Sequence, residues 1–197
     1  MDLSNLMNNI KSKPREIGGY FEMDTNRKFI FYKTSAPKVN TLTKREYVNL
    51  PTKNHSMLWH YHPINAGIWP SFEDLRLGYP TNNKPYPCYI NLIVTVYGTW
   101  VFDGTCKHNT RKPFRNVTNK MYEVWKKFHD FMTTTTQKQG WEPTIVQNGI
   151  EQFRYEMFTN FGYRITFIDN GLFRPEMTNK DKYINEIQDY IIYLLTN

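Results

Sequence analysis

Two histidines, a serine and an aspartate lie close together in residues 58–75, which read LWHYHPINAGIWPSFEDL. One residue separates His60 from His62, and in a β-strand this spacing puts both imidazoles on the same face. Two neighbouring imidazoles can bind one metal ion, and a zinc site usually takes one or two further nitrogen, oxygen or sulfur ligands. Asp74 is the candidate third ligand, because the loop before it is long enough to fold back onto the strand.

Ser71 lies one helical turn before Asp74, where its hydroxyl could donate to a carbonyl oxygen that becomes negatively charged during attack. The same Ser-x-x-Asp pattern is also an ordinary helix start, with Ser71 as N-cap and acidic residues in the first turn. Taken singly, His-x-His and Ser-x-x-Asp are weak signals. Their strand–loop–helix order, with Pro63 and Pro70 bounding the loop, favours a metal site.

This arrangement resembles the signature of the JAMM metalloprotease family: His-x-His, a proline, a short loop and then Ser-x-x-Asp. The family also has a glutamate on an N-terminal strand with glycines, and the segment REIGGYF supplies it as Glu16. The resemblance covers about residues 1–105, whereas residues 106–197 match no named branch of the family. The loop of residues 63–70 is one residue longer than is usual, a difference that a surface loop can absorb.

The resemblance implies that His60, His62 and Asp74 hold one catalytic zinc ion, with a water in the fourth position. It also implies that Glu16 takes a proton from that water and passes it to the leaving amine, while Ser71 stabilises the oxyanion.

Glu22 is the alternative base, since it lies six residues along the same strand and on the same face as Glu16. Its neighbours lack the glycines of the family pattern, so we favour Glu16. All five positions of the pattern are filled, which favours a working enzyme.

The function implied by the resemblance is removal of ubiquitin or a ubiquitin-like protein from lysine by cleavage of the isopeptide bond. One alternative is an MPN-type scaffold in which zinc is structural and the basic surface engages a partner. Another is a nucleic-acid-associated protein of the RadC kind, which the net charge of +7 permits. The basic residues are scattered in short clusters, however, which is more typical of a solvated surface.

The length and composition of the chain limit the number of domains and the cellular compartment that we expect. With 197 residues, 40% of them hydrophobic, the chain is long enough for one domain with a real core. The N-terminal residues lack the features of a signal peptide, and the apolar stretch 89–102 is too short for a membrane span. Two cysteines argue against a disulfide framework.

We expect an intracellular, cytoplasmic protein. Its few alanines are typical of AT-rich genomes, such as those of some large DNA viruses, in which case the setting is the host cytoplasm or the virion.

The hydrophobic pattern predicts helices at the N-terminus, over 118–132, over 149–160 and at the C-terminus, with strands between them. Ser71 is expected to start a further helix, and the threonines at 133–136 a loop. The predicted fold is α/β (or α+β), a single JAMM/MPN-type domain over residues 1–197 with a central mixed sheet flanked by helices.

Other residues are weaker candidates. His55 is interpreted as a loop residue, and His129 as a packing or boundary residue of an amphipathic helix. A second zinc site made by Cys88, Cys106 and His108 is disfavoured, because their spacing lacks a Cys-x-x-Cys pair. Trp69 is expected in the core or the wall of a cleft, where it could touch substrate. Residues 35–56 and 105–118 are expected to hold substrate-binding insertions.

Overall fold

The computed structural model describes residues 1–10, 16–33, 56–63, 67–79, 88–104, 114–139 and 142–197. Within these ranges six strands form one mixed sheet, flanked by five α-helices and a short 3-10 helix. The strands are β1 (Ile17–Met23), β2 (Phe29–Lys33), β3 (Ser56–Tyr61), β4 (Cys88–Val94), β5 (Gly98–Asp103) and β6 (Ile165–Asp169). The helices are α1 (Leu3–Ile10), α2 (Phe72–Gly78), α3 (Phe114–Gln139), α4 (Pro143–Phe161) and α5 (Lys180–Thr196), with the 3-10 helix at Pro175–Thr178. The predicted fold class, a mixed sheet flanked by helices, is confirmed.

The strand order is β2-β1-β3-β4-β5-β6. Only β3 and β4 pair in parallel among these strands, and the other pairs are antiparallel. A parallel pair needs a crossover connection, and α2 lies on the chain between β3 and β4. Strand β3 is therefore held by hydrogen bonds on both of its edges, which makes it a rigid base for side chains.

The two faces of the sheet support separate cores because successive strand residues point to opposite sides. On one face, Trp59 and Tyr61 pack with buried residues of α1 and α5. On the other face, Trp100 and Phe102 pack with buried residues of α2, α3 and α4. His60 lies between Trp59 and Tyr61 in β3 and so belongs to the second face, beneath α2.

Helices α3 and α4 are both longer than the predicted helices over 118–132 and 149–160. Helix α3 continues through Thr133–Thr136, so the expected loop at these threonines is wrong. Threonine is only a moderately poor helix former, so a helix that is already formed can continue through this run. Close contact with α4 is evident at Gly149, where an added Cβ would lie 2.8 Å from the sulfur of Met132.

Among the residues that the structure describes, no helix has both the length and the apolar character that crossing a bilayer requires.

Candidate metal centre

The central strand β3 positions both histidines. His60 is its penultimate residue, and the backbone N–H of His62 donates to the carbonyl of Val94 at 2.8 Å, which extends the parallel pairing past the strand end. The two imidazole rings lie on one face with centroids 4.9 Å apart, as the spacing predicts. Gly18 lies opposite His60 in the register of β1, so no side chain from that strand fills the space beside the imidazole.

Helix α2 carries Asp74 and begins with a capping box. The Asp74 backbone N–H donates to Ser71 Oγ at 3.2 Å, and the Ser71 backbone N–H donates to Asp74 Oδ2 at 2.7 Å. The Ser71 hydroxyl also donates to Asp74 Oδ2 at 2.7 Å. The Ser-x-x-Asp pattern is therefore a helix cap, and the same cap orients the Asp74 carboxylate toward the histidines.

The three side chains converge on one point. His60 Nε2 lies 3.1 Å from His62 Nε2 and 3.0 Å from Asp74 Oδ1, and His62 Nε2 lies 3.4 Å from Asp74 Oδ2. Ligands about 2.0–2.1 Å from a tetrahedral zinc ion stand roughly 3.3 Å from one another, so these separations fit such an ion. Because their ligand atoms all lie within 4.8 Å of one another, the three buried residues form a group that could hold a metal ion.

Glu16 lies at the edge of this group, immediately before β1. Its Oε1 is 3.6 Å from His62 Nε2, and its side chain is 15% exposed. Glu22 lies at the other end of β1, where it accepts a hydrogen bond from the Tyr32 hydroxyl at 2.9 Å. The structure therefore brings Glu16, and not Glu22, to the three candidate ligands.

The charges of the group favour the ionisation states that metal binding needs at Asp74 and His62, whereas His60 must give up a proton when a metal binds. Burial acts to raise the pKa of Asp74, but His60, His62 and the Ser71 hydroxyl outweigh it and hold that pKa well below its usual range. Burial lowers the pKa of His62 to about 4, although the attraction of Asp74 opposes the shift. Burial also acts to lower the pKa of His60, but the charge and hydrogen bond of Asp74, with help from Glu16, raise it instead. At neutral pH Asp74 is thus a carboxylate and His62 is neutral, as ligands must be.

The metal-free protein should lose stability as the pH falls from 6.5 to about 4, because of His62. The unfolded chain takes up this proton near pH 6.5, whereas the folded chain does so only near pH 4. Protons therefore favour the unfolded chain in this window, and the free energy of unfolding should decrease by up to about 3 kcal/mol. His60, whose pKa is raised in the folded chain, is protonated in both states below about pH 5.5 and adds little slope in the rest of the window.

Urea unfolding of chelator-treated protein across this pH range measures the effect. The variant His62→Gln is the control, and its stability should depend less on pH by the same amount. A wild-type stability that stays constant across the window would contradict the burial of a neutral His62.

A cleft of about 460 Å³ opens beside the group. Its lining includes Glu16, His62 and Ser71, together with Trp125 and His129 of α3. The side chain of His129, expected to be a packing or boundary residue, is 42% exposed, and its ring contacts Trp125 with centroids 4.7 Å apart. The sequence shows these two residues one helical turn apart, but it gives no signal that this stripe of α3 faces the cleft.

Trp69 also lines the cleft, but most of its side chain is buried against Trp100 and Phe153. His55, Cys106 and His108 lie outside the described residues, so the second zinc site is not placed. Most of the two expected insertions, 35–56 and 105–118, also lies outside the described residues, namely residues 35–55 and 105–113.

No protein-family model, curated protein or solved structure matched the chain when the three comparisons were made. The resemblance to the JAMM family therefore rests on Glu16, the two histidines, Ser71 and Asp74, and the family stays a proposal.

Proposed function

We propose that this chain is a zinc-dependent metallopeptidase of the JAMM kind that cleaves isopeptide bonds to ubiquitin or a ubiquitin-like protein. One observation carries the hydrolytic part of the proposal: the Glu16 carboxylate lies at the cleft, 3.6 Å from His62 Nε2, beside a group that can hold a metal ion. A structural metal site has no need of a further carboxylate at its open side. Hydrolysis needs a base there, within reach of the attacking water.

His60, His62 and Asp74 would hold the zinc ion. When bound, zinc polarises a carbonyl and makes water a stronger nucleophile at neutral pH. The same ligand set also suits other divalent metals, including Fe(II). The position of Glu16 as a base is what favours zinc and hydrolysis over redox chemistry.

Glu16 is the proton carrier of the proposed reaction. Its carboxylate accepts a proton from the attacking water as the water oxygen bonds to the amide carbon. It then gives that proton to the amide nitrogen as the carbon–nitrogen bond breaks, leaving a carboxylic acid product and a free amine. Net consumption is one water per bond, with no oxidant or reductant.

Ser71 has two roles in the proposal. In the structure its hydroxyl donates to Asp74, so it orients a metal ligand. It is also at the cleft, where a turn about its side-chain bond would let the hydroxyl donate to the substrate's oxyanion. Substitution of Ser71 by alanine therefore affects both metal binding and turnover.

The bond class and the partner rest on the resemblance to JAMM proteins. An intracellular, cytoplasmic setting fits this partner and agrees with the small number of cysteines. A role in binding nucleic acid has less support, because several of the described basic side chains are in ion pairs. Lys127 lies 2.7 Å from Glu156, and Arg174 lies 2.9 Å from Glu186.

Incubation of the purified protein with a panel of differently linked di-ubiquitins tests the proposal. We expect cleavage of at least one linkage, its loss when a chelator removes the metal, and its return when Zn²⁺ is restored. Cleavage that persists in the chelator, in protein shown to be metal-free, would contradict a metal-dependent mechanism. Bound zinc without any cleavage would overturn the ubiquitin assignment and leave the hydrolytic site to be tested on other amides.

A further inference from the structure

The three candidate ligands are carried by secondary-structure elements that differ in how firmly they are held. His60 and His62 belong to or follow β3, which is hydrogen-bonded on both edges. Asp74 lies in α2, which has only seven residues. Isolated helices of this length are not stable in water, so the position of α2 depends on the contacts that hold its first turn.

Two tryptophan side chains hold the segment that leads into α2. The indole N–H of Trp100, in β5, donates to the carbonyl of Ile68 at 2.6 Å. The indole N–H of Trp125, in α3, donates to the carbonyl of Pro70 at 2.9 Å. Backbone carbonyls of a surface loop are commonly satisfied by water, so donors from two other elements fix this segment in a way that water would not.

Trp125 contacts the residues immediately before and after the N-cap of α2. Pro70 is the residue before Ser71, and its carbonyl accepts the Trp125 hydrogen bond. Phe72 is the residue after Ser71, and its ring packs on Trp125 with centroids 5.8 Å apart and on Tyr122 at 5.1 Å. The capping box then links Ser71 to the Asp74 carboxylate.

We propose that Trp125 is a positioning residue for the metal centre, acting through Pro70 and the capping box on Asp74. The inference rests on the proposed metal site, and it gives the second half of the chain a role there. Helix α3 lies in residues 106–197, outside the part that resembles JAMM proteins. It supplies the contact that sets where the third ligand stands relative to the two histidines.

The variant Trp125→Phe tests this, because it keeps a ring and removes the indole N–H. The readouts are Zn²⁺ affinity in a competition titration and the visible spectrum of the protein loaded with Co²⁺, which reports ligand geometry. We expect affinity to fall by about tenfold or more, the range seen when a partner that orients a ligand is lost, together with a changed Co²⁺ spectrum.

Trp59→Phe is the matched control. The Trp59 indole N–H also donates to a backbone carbonyl, that of Tyr32 at 3.0 Å, but its side chain lies in the core on the other face of the sheet. The control should lose stability in urea and keep wild-type zinc affinity and Co²⁺ spectrum. This comparison separates positioning from a general loss of stability.

Wild-type affinity and spectrum in folded Trp125→Phe would overturn the inference. If Trp125→Phe does not fold, Trp100→Phe tests the other bond to the same segment and is judged by the same two readouts. Failure of the wild-type protein to bind either Zn²⁺ or Co²⁺ would instead overturn the proposed metal centre, so the two failures are distinguishable.

Discussion

Glu16→Gln should bind zinc as the wild-type protein does and should lower kcat by about 10²–10⁴-fold, the usual contribution of a positioned general base. Glutamine keeps the size of the side chain but cannot accept a proton from water. The carboxylate of Glu16 lies outside the three-ligand group, 3.6 Å from His62 Nε2, so its loss leaves the ligands in place. Steady-state kinetics on the di-ubiquitin linkage that the wild type cleaves, with zinc content measured on the same sample, checks both parts.

Glu22→Gln is the matched control for this variant. It removes a carboxylate from the same strand, at the end where Glu22 contacts Tyr32. We expect wild-type kcat for Glu22→Gln. Undiminished cleavage by Glu16→Gln would show that another group is the base. A scaffold, by contrast, would bind its partner equally well with either variant.

His60→Ala should abolish stoichiometric zinc in the purified protein. Loss of a residue that merely orients a ligand already weakens metal binding by about 10–100-fold, so loss of one of three ligands should cost more. His60 is also the central member of the group, at 3.1 Å from His62 and 3.0 Å from Asp74. Elemental analysis of the purified variant measures the zinc content directly.

His129→Ala is the control for zinc content, because it removes a half-exposed imidazole at the cleft that is not part of the three-ligand group. It should retain one zinc ion per chain. One equivalent of zinc in His60→Ala would contradict the assignment of His60 as a ligand. Zinc lost from both variants would point to a site of different composition.

The local geometry of the candidate site could be predicted from the sequence, because short-range rules determine it. Alternation along a strand places His60 and His62 on one face, and a Ser-x-x-Asp cap places Asp74 in the first turn of a helix. Both features are present. What the sequence could not decide was whether the Ser71–Asp74 pattern caps a helix or serves a site; in the structure it caps α2 and also turns the Asp74 carboxylate toward the two histidines.

The α3 residues that line the cleft could not be predicted, because their position depends on contacts between residues far apart in the chain. Trp125 and Pro70 are 55 residues apart, and no local pattern links them. The helical periodicity of hydrophobic residues in α3 shows which of them face a core. It does not show that the neighbouring face of the helix, which carries Trp125, contacts the loop before α2. The helical state of Thr133–Thr136 is missed for a different reason: the propensity of threonine is a weak guide, and a helix already formed can continue through such a run.

The most direct test of the central claim is a calorimetric titration of metal-free wild-type protein with Zn²⁺, made in parallel with Asp74→Ala. The account predicts one tightly bound ion per chain in the wild type and binding weaker by more than about 100-fold in the variant, since a ligand itself is lost. Absence of binding in the wild type, or equal binding by Asp74→Ala, would contradict it.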